Sequence, residues 1–525
     1  MRRIRGVALV LSLLGLAVGV AVAQASTYTP GLLSQASALN PLAGCPPDGS
    51  GINFPNSEVE PWLDINPTDD DNLIGVYQQD RYSNGGSKGS VAAASHDAGA
   101  TWTNVALPTN TRCSGGGPYE RASDPWVTFG PDGTAHAMSL VTDPDPPAGG
   151  FGDNGMAYNR STTGGFTWEP AQMLIEDTNP RYLNDKNSMT ADPNDANYVY
   201  AVWDRLQQAG GDVQNPENRR GLGFKGPIML ARTTNGGDSW EPARKIYESG
   251  GNKQTIGNQI VVEPASRGGS LFDFFSDVTN GSNRRQTFGP IGLSYIRSDD
   301  RGSTWTKPSL VASELPMSLF RADSVIDTEP AACPEPAKTG ACPIRAGDII
   351  PEVAVNRSNG NLYAVWMDAR FSGFTHDSIA FSQSTNGGLS WSDPIHVNQT
   401  PASEPNDDQQ AFTPSVHVLD DGTVAVSYFD FRNNTSSPTT LDTDQWVVHC
   451  HPASENCAAA ASWSPGDETR VTPTSFNIRT APYARGYFVG DYMGLASDPD
   501  GQILSLFGTT AGTGPSSIFL RRLEP

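Results

Sequence analysis

Five eight-residue stretches share one frame: SHDAGATW at 95–102, STTGGFTW at 161–168, TTNGGDSW at 233–240, SDDRGSTW at 298–305 and STNGGLSW at 384–391. Ser or Thr leads, a short polar residue follows two places on, glycine stands fifth, Ser or Thr seventh and Trp eighth in all five. Reuse of one motif along a chain means reuse of one structural unit, which points to a propeller or an array.

Each motif holds the same place in a larger unit. Upstream run two apolar segments parted by a tight polar turn, as in VEPWLDINPTDDDNLIGVYQQDR at 59–81, NSMTADPNDANYVYAVWDR at 187–205, EVAVNRSNGNLYAVWMDAR at 352–370 and SVHVLDDGTVAVSYFDFR at 415–432. Strand, turn, strand, loop, strand, motif, strand describes a four-stranded antiparallel sheet. Inner strands are expected to begin near Trp62, Trp126, Met189, Ile260, Val353, Ser415 and Gly494. The fold class is therefore all-β, a β-propeller of four-stranded antiparallel blades: seven if every unit is a blade, six if the terminal pieces merge. The sixth unit keeps a worn motif, SENCAAAASW at 454–463, and the seventh offers three strands. A strand from residues 26–58 would complete that last sheet and remove its open edge, leaving 59–525 as the propeller domain.

Within the motif, the third residue can accept hydrogen bonds from turn amides, glycine supplies positive φ, and Trp fills the space between neighbouring sheets. Five copies of one arrangement build a scaffold, whereas catalysis needs one site.

Residues 1–25, MRRIRGVALVLSLLGLAVGVAVAQA, read as a signal peptide, with a basic lead, an apolar stretch and a small-residue tail. A secreted or extracellular protein is expected, and six cysteines suit an oxidising compartment. Short loops close most readily, which pairs Cys333 with Cys342 and Cys450 with Cys457 and leaves Cys45 for Cys113. Zinc spacings are absent, and the histidines show no metal-binding pattern such as HExxH. A formal net charge of -22 repels nucleic acid and anionic lipid, so neither nucleic acid nor, after signal cleavage, a membrane is an expected partner. No cofactor is expected. The oxygen-rich turns PTDDDN at 67–72 and NDDQQ at 406–410 could supply calcium ligands, though neither has EF-hand spacing.

Strand polarity separates scaffold from chemistry. Antiparallel neighbours reverse direction, so the motif hairpins share one end with the first-to-second turns. Starts of inner strands and ends of second strands share the other end. That end collects Glu60, Asp124, Asp185, Glu352 and Asp491 from strand starts, and Arg81, Arg205, Arg370 and Arg432 from strand ends. A guanidinium fork grips a carboxylate through two parallel hydrogen bonds, which would suit an acidic ligand. The competing reading makes each Asp-Arg pair an ion pair between sheets.

The motifs resemble the Asp-box, or BNR, repeats of the sialidase superfamily, whose members are six-bladed propellers or their relatives. The resemblance spans residues 59–522. It implies an exported glycoside hydrolase acting on a terminal acidic sugar, with an arginine cluster for the substrate carboxylate, a tyrosine nucleophile activated by a glutamate, and an aspartate as general acid and base. Carried onto this chain, Arg81, Arg205, Arg370 and Arg432 would bind substrate, Tyr492 would be the nucleophile, Glu352 its partner, and Asp124 or Asp185 the general acid. The family's Arg-Ile-Pro motif is absent, which keeps a non-catalytic propeller that binds a glycan or a protein as the alternative.

Overall fold

The computed structural model describes residues 27–525 apart from 48, 145–149, 209–223, 252, 280–289, 318–324, 327–343, 348 and 438–439. Its strands form antiparallel four-stranded sheets, identified by their innermost strands: Glu58–Ile65 (sheet 1), Arg121–Phe129 (sheet 2), Tyr182–Ala191 (sheet 3), Lys253–Val262 (sheet 4), Glu352–Val355 (sheet 5), Ala411–Val418 (sheet 6) and Gly494–Ser497 (sheet 7). Sheets 1 and 2 are joined by the single pair Ser87 and Ala122. Each inner strand touches the next, and that of sheet 7 touches that of sheet 1. The outer strand of sheet 7 is Thr29–Gln35, which pairs antiparallel with Ser517–Glu524.

Burial explains the sequence of each strand. The second strands Asn72–Arg81, Leu362–Asp368 and Val424–Asp430 are buried at every position. Neighbouring sheets cover both of their faces, so they read as near-continuous apolar runs rather than alternating ones. Outer strands such as Arg244–Tyr247 and Ile395–His396 are only partly covered and carry more polar residues.

Two hydrogen bonds account for the recurring motif. The leading hydroxyl accepts from the glycine amide: Ser95 from Gly99 at 2.8 Å, Thr233 from Gly237 at 3.0 Å, Ser384 from Gly388 at 2.9 Å. The third residue accepts from the seventh: Asp97 from Thr101 at 2.8 Å, Asn235 from Ser239 at 3.0 Å, Asp300 from Thr304 at 2.8 Å. Gly237 is required twice over, because its φ is +91° and an added Cβ would lie 2.0 Å from the Tyr158 hydroxyl of the preceding sheet.

The motif tryptophans reach the sheet before their own. Trp240 meets Tyr158 at 4.8 Å between ring centroids, Trp391 meets Phe274 at 5.7 Å, and Trp463 of the worn motif meets Phe381 at 4.9 Å. Trp102 of sheet 1 reaches sheet 7, where its Nε1 donates to Ser34 Oγ at 2.9 Å. Trp463 is 3% exposed, so Trp463→Ala is expected to cost about 3–5 kcal/mol in denaturant unfolding. Leu389, 84% exposed in the turn of another motif, should tolerate Ala within about 0.5 kcal/mol. Equal losses at the two positions would refute this account of inter-sheet packing.

Disulfides join Cys45 to Cys113 and Cys450 to Cys457, with Cα separations of 5.6 and 5.9 Å. Cys333, Cys342 and the signal segment lie outside the described residues. Among the described residues no helix is long and apolar enough to cross a membrane, and no three His, Cys, Asp or Glu side chains gather to hold a metal ion.

Candidate functional site

The inner strands share a second device. Their register slips between Val59 and Trp62, Ser123 and Trp126, Asp185 and Ser188, Ile256 and Gln259, and Phe412 and Ser415. In each slip one residue has positive φ: Glu60 at 56°, Asp124 at 49°, Lys186 at 40°, Gly257 at 73° and Thr413 at 48°. Pro61, Pro125 and Pro414 follow three of them. Proline has no N–H, so the interrupted ladder leaves no donor unpaired there. A bulge re-aims its side chain, and a non-glycine residue held in this region costs about 1–3 kcal/mol. Glu60, Asp124 and Lys186 bear that cost on three consecutive sheets, as residues at functional sites do.

A hydrogen-bonded chain links the first two. The Arg81 guanidinium donates to Gln78 Oε1, and Gln78 Nε2 donates both to Glu60 and, at 3.1 Å, to Ser123 Oγ. Ser123 Oγ in turn donates to Asp124 Oδ1 at 2.6 Å. Arg345 holds Asp491 through two bonds, one of them Nε to Oδ1 at 3.1 Å. Phe488 ties the two cations together, with the Arg345 and Arg81 guanidinium carbons 4.3 and 5.0 Å from its ring centroid. Arg345 Nη1 is buried with no acceptor.

Beside this network Trp62 stacks on Trp126 at 3.5 Å. The Lys186 ammonium lies 4.9 Å from the Trp126 ring centroid and 3.9 Å from that of Tyr492, close enough for cation–π attraction.

Charge and burial divide the carboxyls. Burial, then Asp124 and Asp491, push Glu60 up to about 8 against the pull of Arg81 and Arg345. Burial likewise pushes Glu352 to about 8, opposed by Lys186 and Gln259. Asp185 is only partly covered, and burial followed by repulsion from Asp124 raises it to about 6. Asp204, directly across the strand pair from Asp185, is held well above the ordinary carboxylate range by burial and then by Asp185. Burial lowers Arg81 to about 10 despite Glu60. Asp124 and Asp185 thus bring two carboxyls to the starts of adjacent inner strands.

The structure brings Asp124, Asp185, Glu352, Tyr492 and Arg81 into one electrostatic cluster, but it corrects two expectations. Arg205, Arg370 and Arg432 do not converge with Arg81. Arg205 Nε binds Asp177 at 2.7 Å on the outer strand of sheet 2, and Arg370 holds Asp368 at 2.8 Å and the Ser313 carbonyl on the outer strand of sheet 4. Arg432 is clamped by Asp430 and Glu468, both at 2.6 Å. A partly desolvated guanidinium needs a charged partner, which Asp177 on an outer strand gives Arg205, Asp368 at the end of its own strand gives Arg370, and Asp430 with Glu468 gives Arg432. The second correction concerns Tyr492, which is fully buried, with its hydroxyl donating to the Pro125 carbonyl at 3.2 Å. Burial and the surrounding Glu60, Asp124, Asp491 and Glu352 push that hydroxyl well above its usual range, which makes it a poor nucleophile. Its ring serves as a platform for Lys186.

Sequence reasoning missed Arg345, Gln78 and the central place of Lys186. Arg345 stands in the stretch between sheets 4 and 5, outside any repeat, and carries no pattern. The bulges did leave a signal, since EPW at 60–62 and DPW at 124–126 put an acid, a proline and a stacked tryptophan at matching places in two sheets.

No protein-family model matches the chain, and no curated protein does. Among solved structures it is similar to a Dyadobacter fermentans protein of unknown function, at 14% identity over 90% of this chain and 97% of that one, with a TM-score of 0.44. It is also similar to a Penicillium chrysogenum alpha-L-arabinanase, at 14% identity over 76% of this chain and 92% of the other, TM-score 0.40. A Trypanosoma rangeli sialidase shows 12% identity over 76% of this chain and 53% of its own, TM-score 0.40. At such identity and TM-score, residue roles rest on this chain's own geometry.

Proposed function

We propose that this protein is an exported glycoside hydrolase on a seven-bladed propeller, acting on a terminal acidic sugar where the inner strands begin. The observation that carries this reading is the juxtaposition of Asp124 and Asp185 at the starts of adjacent inner strands, with Asp185 partly exposed and its proton retained to about pH 6. Asp185 gives its proton to the glycosidic oxygen as the bond to the anomeric carbon breaks. Asp124, oriented by Ser123, takes a proton from the water that attacks that carbon. Arg345 supports the acidic-sugar assignment, because its Nη1 has a donor to offer a substrate carboxylate beyond its bonds to Asp491. The two disulfides support folding in an oxidising compartment.

Incubation of the purified protein with fluorogenic sialosides and uronosides over a broad pH range tests the reading. Turnover of one class is expected. Absence of turnover with retained glycan binding would make this a binding propeller instead.

A further inference from the structure

A cavity of about 390 Å³ lies, by strand polarity, at the same end as the carboxylates, beside the outer strand Ile395–His396. It lies between the turn Ala369–Ser372, which follows the second strand of sheet 5, and the segment leading on to sheet 6. Its volume falls in the ordinary range for small-molecule sites, roughly 300–1,000 Å³. None of its lining residues is Asp, Glu, Lys or Arg.

The lining combines flat faces with neutral hydrogen-bonding groups. Phe371 and the His396 imidazole stack with centroids 5.5 Å apart and planes 20° from parallel. One wall is fixed: Asn398 Oδ1 accepts from the Ile379 amide at 2.8 Å, its amide donates to Thr400 at 2.9 Å, and Thr400 donates to Asp430 at 2.6 Å. Other groups are not so committed. His396 Nε2 is buried with no hydrogen-bond partner, and it can donate to or accept from a hydroxyl according to the ring's tautomer. The turn also stores strain, because Phe374, between the lining residues Ser372 and Thr375, has a φ of 66° while 44% exposed.

We infer that this cavity is a second glycan-binding site, which takes a neutral sugar ring against Phe371 with hydrogen bonds to His396 and Asn406. An apolar ring face matches the aromatic side chain, and hydroxyls match imidazole and amide groups. The uncharged lining offers nothing to fix an anion, which separates this site from the central one. The inference concerns binding alone and stands whether or not the central site hydrolyses anything.

Calorimetric titration of the full chain with galactose, glucose, xylose, arabinose and N-acetylglucosamine and their disaccharides is the test. At least one probe should bind saturably, and Phe371→Ala and Asn406→Ala should each weaken it by about tenfold or more. Asp185→Asn should leave that binding unchanged. Asn406 is exposed, so its variant remains decisive if Phe371→Ala fails to fold. Failure of every probe to bind the folded wild type would overturn the inference. So would binding that survives Asn406→Ala, or binding lost only in Asp185→Asn.

Discussion

Asp185→Asn is expected to lower kcat by about 10²–10⁴-fold on a natural glycoside while leaving KM and thermal stability close to those of the parent. The loss should shrink with substrates whose leaving group is a stable phenolate, since such a group departs without a proton. The pH profile gives a second readout. A general acid must be protonated, so wild-type activity should fall as pH rises through about 6, and the variant should lose that alkaline limb. An equal loss on every leaving group, with the alkaline limb intact, would remove Asp185 from the acid role.

The second large effect is on stability. Glu60 and Glu352 hold their protons to about 8 in the folded chain, against an ordinary value of 4.5. Folding therefore favours their protonated forms. Their contribution is full below about pH 4.5 and is lost as pH rises toward 8, on the order of a few kcal/mol for each. On the acid side the sign reverses. Hydrogen bonds from Thr101 and Thr304 hold Asp97 and Asp300 below the usual range, and stability from these groups is lost as pH falls through their folded values. Melting temperature should accordingly peak in mildly acidic solution. Glu60→Gln and Glu352→Gln keep an acceptor oxygen in place and should each flatten the alkaline decline. A melting temperature that rises steadily from pH 5 to about pH 9 would contradict the burial of these two groups.

Much of the scaffold was legible because it repeats. The motif frame announced a turn acceptor at its third place and a glycine at its fifth, while the bond to the leading hydroxyl emerged only with the fold; the spacing of Cys450 and Cys457 announced a short loop that a disulfide could close. Strand polarity placed Asp124, Asp185 and Glu352 at one end. It could not say how far a long side chain turns once it arrives there. Arg205 and Arg370 look like Arg81 in sequence, yet their partners, Asp177 and Ser313, stand on neighbouring sheets whose alignment depends on the assembled fold. Tyr492 was found by position, but a position does not state depth. Arg345 depends on a contact with Asp491 across 146 residues, which no local pattern records.

The seventh sheet borrows its outer strand, Thr29–Gln35, from the opposite end of the sequence, and Trp102 of the first sheet rests against the seventh. An open stack of repeats can unravel from a terminal member, one unit at a time. Here sheet 7 rests against sheet 1 and takes its outer strand from the N-terminal segment, so neither is an uncovered terminal member that can melt alone.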